Sequence, residues 1–145
     1  MKKLLILAAL FISFSSFSYA IEVNQKILTS FKKDFSTAIN VQWKALEETI
    51  YEAEFSYNGE QFNAYYNEEG ELIGSARYIS KANMPLLISK SLQEKYGDFL
   101  IRTAIEYNNG NETSYFITMV SKYKSVVLQA SPSGSLSVVK KFKTY

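Results

Sequence analysis

Tyr51-x-Ala53-x-Phe55, Phe62-x-Ala64-x-Tyr66 and Gly70-x-Leu72 return, sixty-four residues later, as Tyr115-x-Ile117-x-Met119, Val126-x-Leu128-x-Ala130 and Gly134-x-Leu136. The alternation within each triplet is the period of a strand with one buried face. A repeat of this length exceeds one strand pair and falls short of an ordinary domain. Two copies are therefore expected to build one compact fold together.

Turn residues punctuate the first copy at Glu47-Glu48, Asn58-Gly59 and Glu68-Glu69-Gly70. Asn-Gly is the strongest of these signals, because both residues tolerate the positive φ of a two-residue hairpin turn. Upstream, Val41, Trp43 and Ala45 alternate with polar neighbours. Before them Asn24 can cap a helix with Ile27, Phe31 and Phe35 on one stripe, Leu28 alongside, and Lys26, Lys32 and Lys33 elsewhere.

The second copy opens the same way. Asn83 is a candidate cap, Pro85 sits in the first turn, Ile88, Leu92 and Tyr96 form the stripe, and Gly97 follows the last turn. This stripe lies sixty-one residues after the first, so three extra residues are expected in the loop Asn108-Asn109-Gly110-Asn111, where insertions cost little. Strands are expected near 100–107, 113–121, 125–130 and 135–142. The fold class is α+β: a tandem repeat of a helix plus a four-stranded antiparallel meander, forming one curved sheet with two helices on one face and the other face open.

Phe31-x-x-x-Phe35, Val41-x-Trp43, Tyr51-x-Ala53-x-Phe55, Asn58-Gly59, Tyr65-Tyr66-Asn67-x-x-Gly70-x-Leu72, Met84-Pro85 and Lys95-Tyr96-Gly97 together resemble the PepSY-like family. These are exported bacterial proteins, common in Bacteroidetes and also described as β-lactamase-inhibitor-like. The resemblance spans almost all of the chain after residue 20 and rests on packing and turn motifs. It implies the tandem helix-and-meander arrangement, and it implies that the open concave face meets a protein partner. Relatives often carry a proline after the aromatic that ends each helix, whereas this chain has Ser36 and Gly97. The second copy has no counterpart of Trp43.

At the N-terminus, Lys2 and Lys3 precede an apolar run from Leu4 to Ile12, and a serine-rich stretch closes on Ser18-Tyr19-Ala20. This pattern is that of a secretory signal peptide over residues 1–20, with a run too short for the ~20 residues that span a bilayer. The expected product is 21–145, a single PepSY-like domain of two units, about 21–80 and 81–145, located in the periplasm or secreted and without a membrane anchor. Its fourteen basic residues equal its fourteen acidic ones, so no positive stripe invites nucleic acid. Cysteine is absent, and an exported domain without disulfides must rely on its packed core.

Histidine is absent as well, which removes the commonest general base along with the thiolate nucleophile and most transition-metal ligands. No cofactor is expected. Glu52 and Glu54 are the best catalytic pair, two apart on a strand and about 7 Å from each other on one face. Strand solubility explains them better than a hydrolase does. The acidic run Asn67-Glu68-Glu69-Gly70-Glu71 lacks the alternating ligands and closing glutamate of a calcium loop, and reads as a turn.

With Tyr51, Phe55, Phe62 and Tyr66 assigned to the buried face, the opposite phase carries Glu52, Glu54, Ser56, Gln61, Asn63 and Tyr65, then Phe116, Thr118, Val120, Val127 and Gln129. A polar face spotted with aromatics suits protein binding. The expected function is a non-enzymatic binding or inhibitor-type module for another extracytoplasmic protein, with Tyr65, Phe116, Glu52 and Glu54 as contacts and Trp43 and Arg77 as additions. The alternatives are a carrier of a small apolar ligand or peptide between helices and sheet, and a carboxylate hydrolase.

Overall fold

The computed structural model describes residues 21–47 and 49–143. The expected signal peptide and the turn residue Glu48 lie outside them. The fold is α+β, with eight strands hydrogen-bonded in sequence order as an open antiparallel sheet and two α-helices. The chain divides into two compact units at Ser75 and Ala76.

In the first unit, α1 (Gln25–Asp34) precedes β1 (Ile39–Glu47), β2 (Ile50–Tyr57), β3 (Glu60–Asn67) and the start of β4 (Leu72–Tyr78). Asn24 caps α1 as expected, its side-chain oxygen accepting from the Ile27 amide at 3.0 Å. The Asn24 amide group donates in turn to the Glu68 carbonyl, which ties the cap to the β3–β4 turn. Asn58 and Gly59 both have positive φ, the geometry of the two-residue hairpin turn, and Tyr57 pairs with Glu60 across it.

The stripe of α1 buries Ile27 and Phe31 on the sheet, while Phe35 stands at the C-cap. Ala53 and Ala64 face each other in the register of β2 and β3, and neither retains exposed surface. Their small side chains let the helix approach. Around them the Phe31 ring lies 5.0 Å from Phe55, 5.2 Å from Trp43 and 5.5 Å from Phe35 in tilted or edge-on arrangements. Such pairs add about 0.5–1.5 kcal/mol each beyond the area they bury.

The second unit begins within β4 and continues through a 3-10 turn (Lys81–Asn83), α2 (Leu86–Tyr96), β5 (Leu100–Asn108), β6 (Thr113–Val120), β7 (Lys124–Ala130) and β8 (Leu136–Lys143). The expected cap does not form here. Asn83 is consumed by the 3-10 turn, Met84 has the extended backbone to which a residue before proline is held, and Pro85 therefore takes the N-cap position. Ile88 and Leu92 then pack with Met84, Ala104, Tyr115, Ile117, Met119, Val126 and Leu128.

Two glycines set the distance between each helix and the turn below it. Gly70 has φ +81°, and a Cβ there would lie 3.0 Å from the Lys26 carbonyl oxygen and from Ser30 Oγ. Gly134 has φ +87°, and its Cβ would lie 2.7 Å from the Leu87 carbonyl oxygen and 3.1 Å from Ser91 Oγ. Both positions demand glycine twice over, for conformation and for space.

Candidate functional site

The helices cover one phase of the strands, and the other phase presents a second face in each unit. In the first unit this face is a polar lattice. Lys44 stands opposite Glu52 in the β1–β2 register but reaches diagonally to Glu54, Nζ donating to Oε2 at 3.0 Å. Asn63 stands opposite Glu54 and reaches diagonally to Glu52, Nδ2 donating to Oε1 at 2.6 Å. Gln61 donates to Ser56 directly across the ladder at 2.6 Å. Long side chains span such diagonals readily in an antiparallel pair.

Each of the two glutamates therefore already holds a donor. Both are half-buried. Among the described residues, no group of three or more His, Cys, Asp or Glu could hold a metal ion. The arrangement is a hydrogen-bonded, partly exposed surface.

Tyr65 lies beside this lattice, directly opposite Glu52. It retains 1% of its surface, and Phe116 in the second unit retains 3%. The expectation of two exposed aromatics is thus corrected. Both occupy strands with a neighbour on either side, and Phe116 stands between its direct partners Ile105 and Gln129 with the Tyr107 ring 6.4 Å away. Single-strand periodicity assigns a face but does not count the side chains that flank it.

Ile105 and Tyr107, which sequence reasoning did not single out, are buried together with Phe116 and Val127 on this face. Their signal was available in the alternation Ile105-x-Tyr107, the same phase as Phe116 across the ladder. Burial pushes the Tyr107 phenol above its usual range.

Trp43 and Arg77 sit elsewhere. Trp43 pairs with Ala53 and packs against Phe31 and Tyr66, so it belongs to the core beneath α1. Arg77 donates through Nε to Glu106 Oε1 at 2.9 Å, and Glu106 Oε2 accepts from the Tyr115 hydroxyl at 3.2 Å. Tyr115 is part of the core beneath α2, which places this triad on the helix-covered side. Desolvation and the Glu106 charge both hold the Tyr115 phenol above its usual range. The corresponding polar contact in the first unit joins the Tyr66 hydroxyl to Asp34 Oδ2 at 2.9 Å, and burial first, then this bond, raise the Tyr66 phenol strongly. Of the six expected contacts, Glu52, Glu54 and Tyr65 come together in the first unit, Phe116 lies on the same strand phase in the second, and Trp43 and Arg77 do not join them.

Among the described residues, no helix is long and apolar enough to cross a membrane. Neither a protein-family model nor a curated protein sequence matches the chain. Solved structures do. A BLIP-like protein from Bacteroides fragilis superposes with a TM-score of 0.72 at 18% identity, covering 85% of this chain and 87% of that one. A DUF2874 family protein from Bacteroides ovatus gives 0.75 at 16% identity, covering 86% and 89%. A protein described as periplasmic, from Bacteroides eggerthii, gives 0.74 at 13% identity, covering 85% and 90%. The chain has the fold of these BLIP-like and DUF2874 proteins of Bacteroides.

Proposed function

We propose that this protein is an exported, non-enzymatic binding module of the inhibitor-like kind, built from two copies of a helix and a four-stranded meander. It recognises another extracytoplasmic protein through the sheet face opposite the helices. The matched glycine contacts at Gly70 and Gly134 support the internal duplication. The leader-like N-terminus and the likeness to a BLIP-like and a periplasmic protein support export and the binding role.

The observation that carries the reading is the composition of that second face. In the first unit a helix already covers the core side, yet the opposite side holds a half-exposed lattice of Lys44, Glu52, Glu54 and Asn63 beside the buried Tyr65. Partly exposed charged and amide groups held in fixed geometry over a rigid, buried aromatic give a partner protein a polar contact patch. In this reading Glu52 and Glu54 make the contacts, and Tyr65 and Phe116 form the rigid floor that positions the strands beneath them. Trp43 and Arg77 take no part.

The test is capture of a partner from the envelope and culture fluid of the source organism, followed by calorimetry with the purified partner. Binding that is lost in a folded Glu52→Lys/Glu54→Lys variant supports the assignment. Equal binding by parent and variant refutes this face as the contact surface, and a pure preparation that turns over a substrate refutes the non-enzymatic role.

A further inference from the structure

A second feature lies away from that face. At the end of α2, a cavity of about 410 Å³ opens in the second unit, within the range of about 300–1,000 Å³ usual for small-molecule sites. Its apolar lining is Tyr96, Phe99, Val126 and Phe142, its basic lining is Lys124, Lys141 and Lys143, and Ser125 completes it. Local sequence builds the apolar wall. The Phe99 amide donates to the Tyr96 carbonyl at 2.9 Å, which turns the chain out of α2 and sets the two rings edge-on at 5.5 Å.

The basic wall is assembled by strand register. Lys124 of β7 pairs directly with Lys143 of β8, and Val126 pairs with Lys141. Cross-strand partners share a face, and Lys124 and Val126 are two apart, so the three lysines stand on the face that also carries buried Val126. Like charges directly opposite each other destabilise a ladder. Among the described residues none of the three lysines enters an ion pair, and Asp98, in the turn between Tyr96 and Phe99, does not reach them. A cationic cluster with no ion pair among the described residues, at the mouth of an apolar cavity, is complementary to one class of ligand.

We propose that this cavity binds a small anionic amphiphile, with an alkyl or aromatic body against Tyr96, Phe99 and Val126 and a carboxylate head between Lys124, Lys141 and Lys143. The head relieves the lysine repulsion, and the body removes apolar surface from water. The site is independent of the protein-binding face.

The probe is decanoate, titrated below its micelle concentration into the protein by calorimetry, with decanol and decyltrimethylammonium as neutral and cationic counterparts and with anionic phospholipid vesicles as a separate arm. Decanoate binds at one site per chain, more tightly than either counterpart, and shifts the amide resonances of Phe99, Lys124 and Val126. The Lys124→Gln/Lys143→Gln variant binds decanoate about tenfold more weakly, equivalent to about 1.4 kcal/mol. The same variant without ligand is at least as stable as the parent, because the like-charge pair is gone, so loss of fold does not mimic loss of the site. Equal binding of decanol and decanoate overturns the charge argument. Absence of decanoate binding overturns the site, and so does association with vesicles alone, which would make the lysines a membrane-surface patch.

Discussion

Gly134→Ala tests the contact between the last turn and α2. The substitution adds one methyl group at φ +87°, with its carbon 2.7 Å from the Leu87 carbonyl oxygen. The left-handed conformation costs alanine about 1–2 kcal/mol. The close approach adds about 1–3 kcal/mol, because its partner is main chain in the first turn of α2 and the helix has to shift. Restricting the unfolded chain offsets about 0.4–1 kcal/mol. The net loss is about 2–4 kcal/mol. At about 4 °C per kcal/mol for a chain of this size, the melting temperature falls by about 8–16 °C. Gly59→Ala is the control, since Gly59 has nearly the same φ, +83°, with open space around its Cβ position. It should lose about 1 kcal/mol and about 4 °C. Urea unfolding followed by far-ultraviolet circular dichroism gives both differences on one scale. Equal losses in the two variants would refute the reasoning, because the turn conformation alone would then account for the glycine.

Three further outcomes follow from the core. Stability falls as pH rises above about 10, because the Tyr66, Tyr107 and Tyr115 phenols are raised and keep protons that the unfolded chain releases there. Tyr66→Phe makes that alkaline decline shallower by up to about 1.4 kcal/mol per pH unit, measured by urea unfolding between about pH 9 and about pH 11. An unchanged slope would show that Tyr66 is not among the retained protons. Phe31→Leu costs about 1.5 kcal/mol through lost ring-edge contacts and changes the emission of Trp43, the chain's single tryptophan, which lies 5.2 Å away. A double-mutant cycle on Arg77 and Glu106 gives a coupling of about 0.5–1 kcal/mol, modest because the two side chains keep 36% and 26% of their surface.

The local features of the fold were legible in the sequence where they depend on a residue's own backbone preference. Asn24 caps a helix, Asn58-Gly59 turns a hairpin, and Tyr51, Ala53 and Phe55 share a phase whatever surrounds them, because φ tolerance and strand alternation are properties of the segment itself. Asn83 shows the limit of that logic, since the proline two residues on overrode a good capping residue.

Burial and partnership were decided only by tertiary structure. Strand alternation puts Tyr65 and Phe116 on the phase opposite the helix-covered one, yet their low exposure depends on side chains beyond their own strands. Arg77 meets a carboxylate twenty-nine residues away, and the lysine cluster exists because β7 and β8 pair in a register that sets Lys124 against Lys143. Single-segment patterns encode which way a side chain points. What it meets there depends on register between strands and on the reach of neighbouring side chains, both of which arise only when distant segments pack.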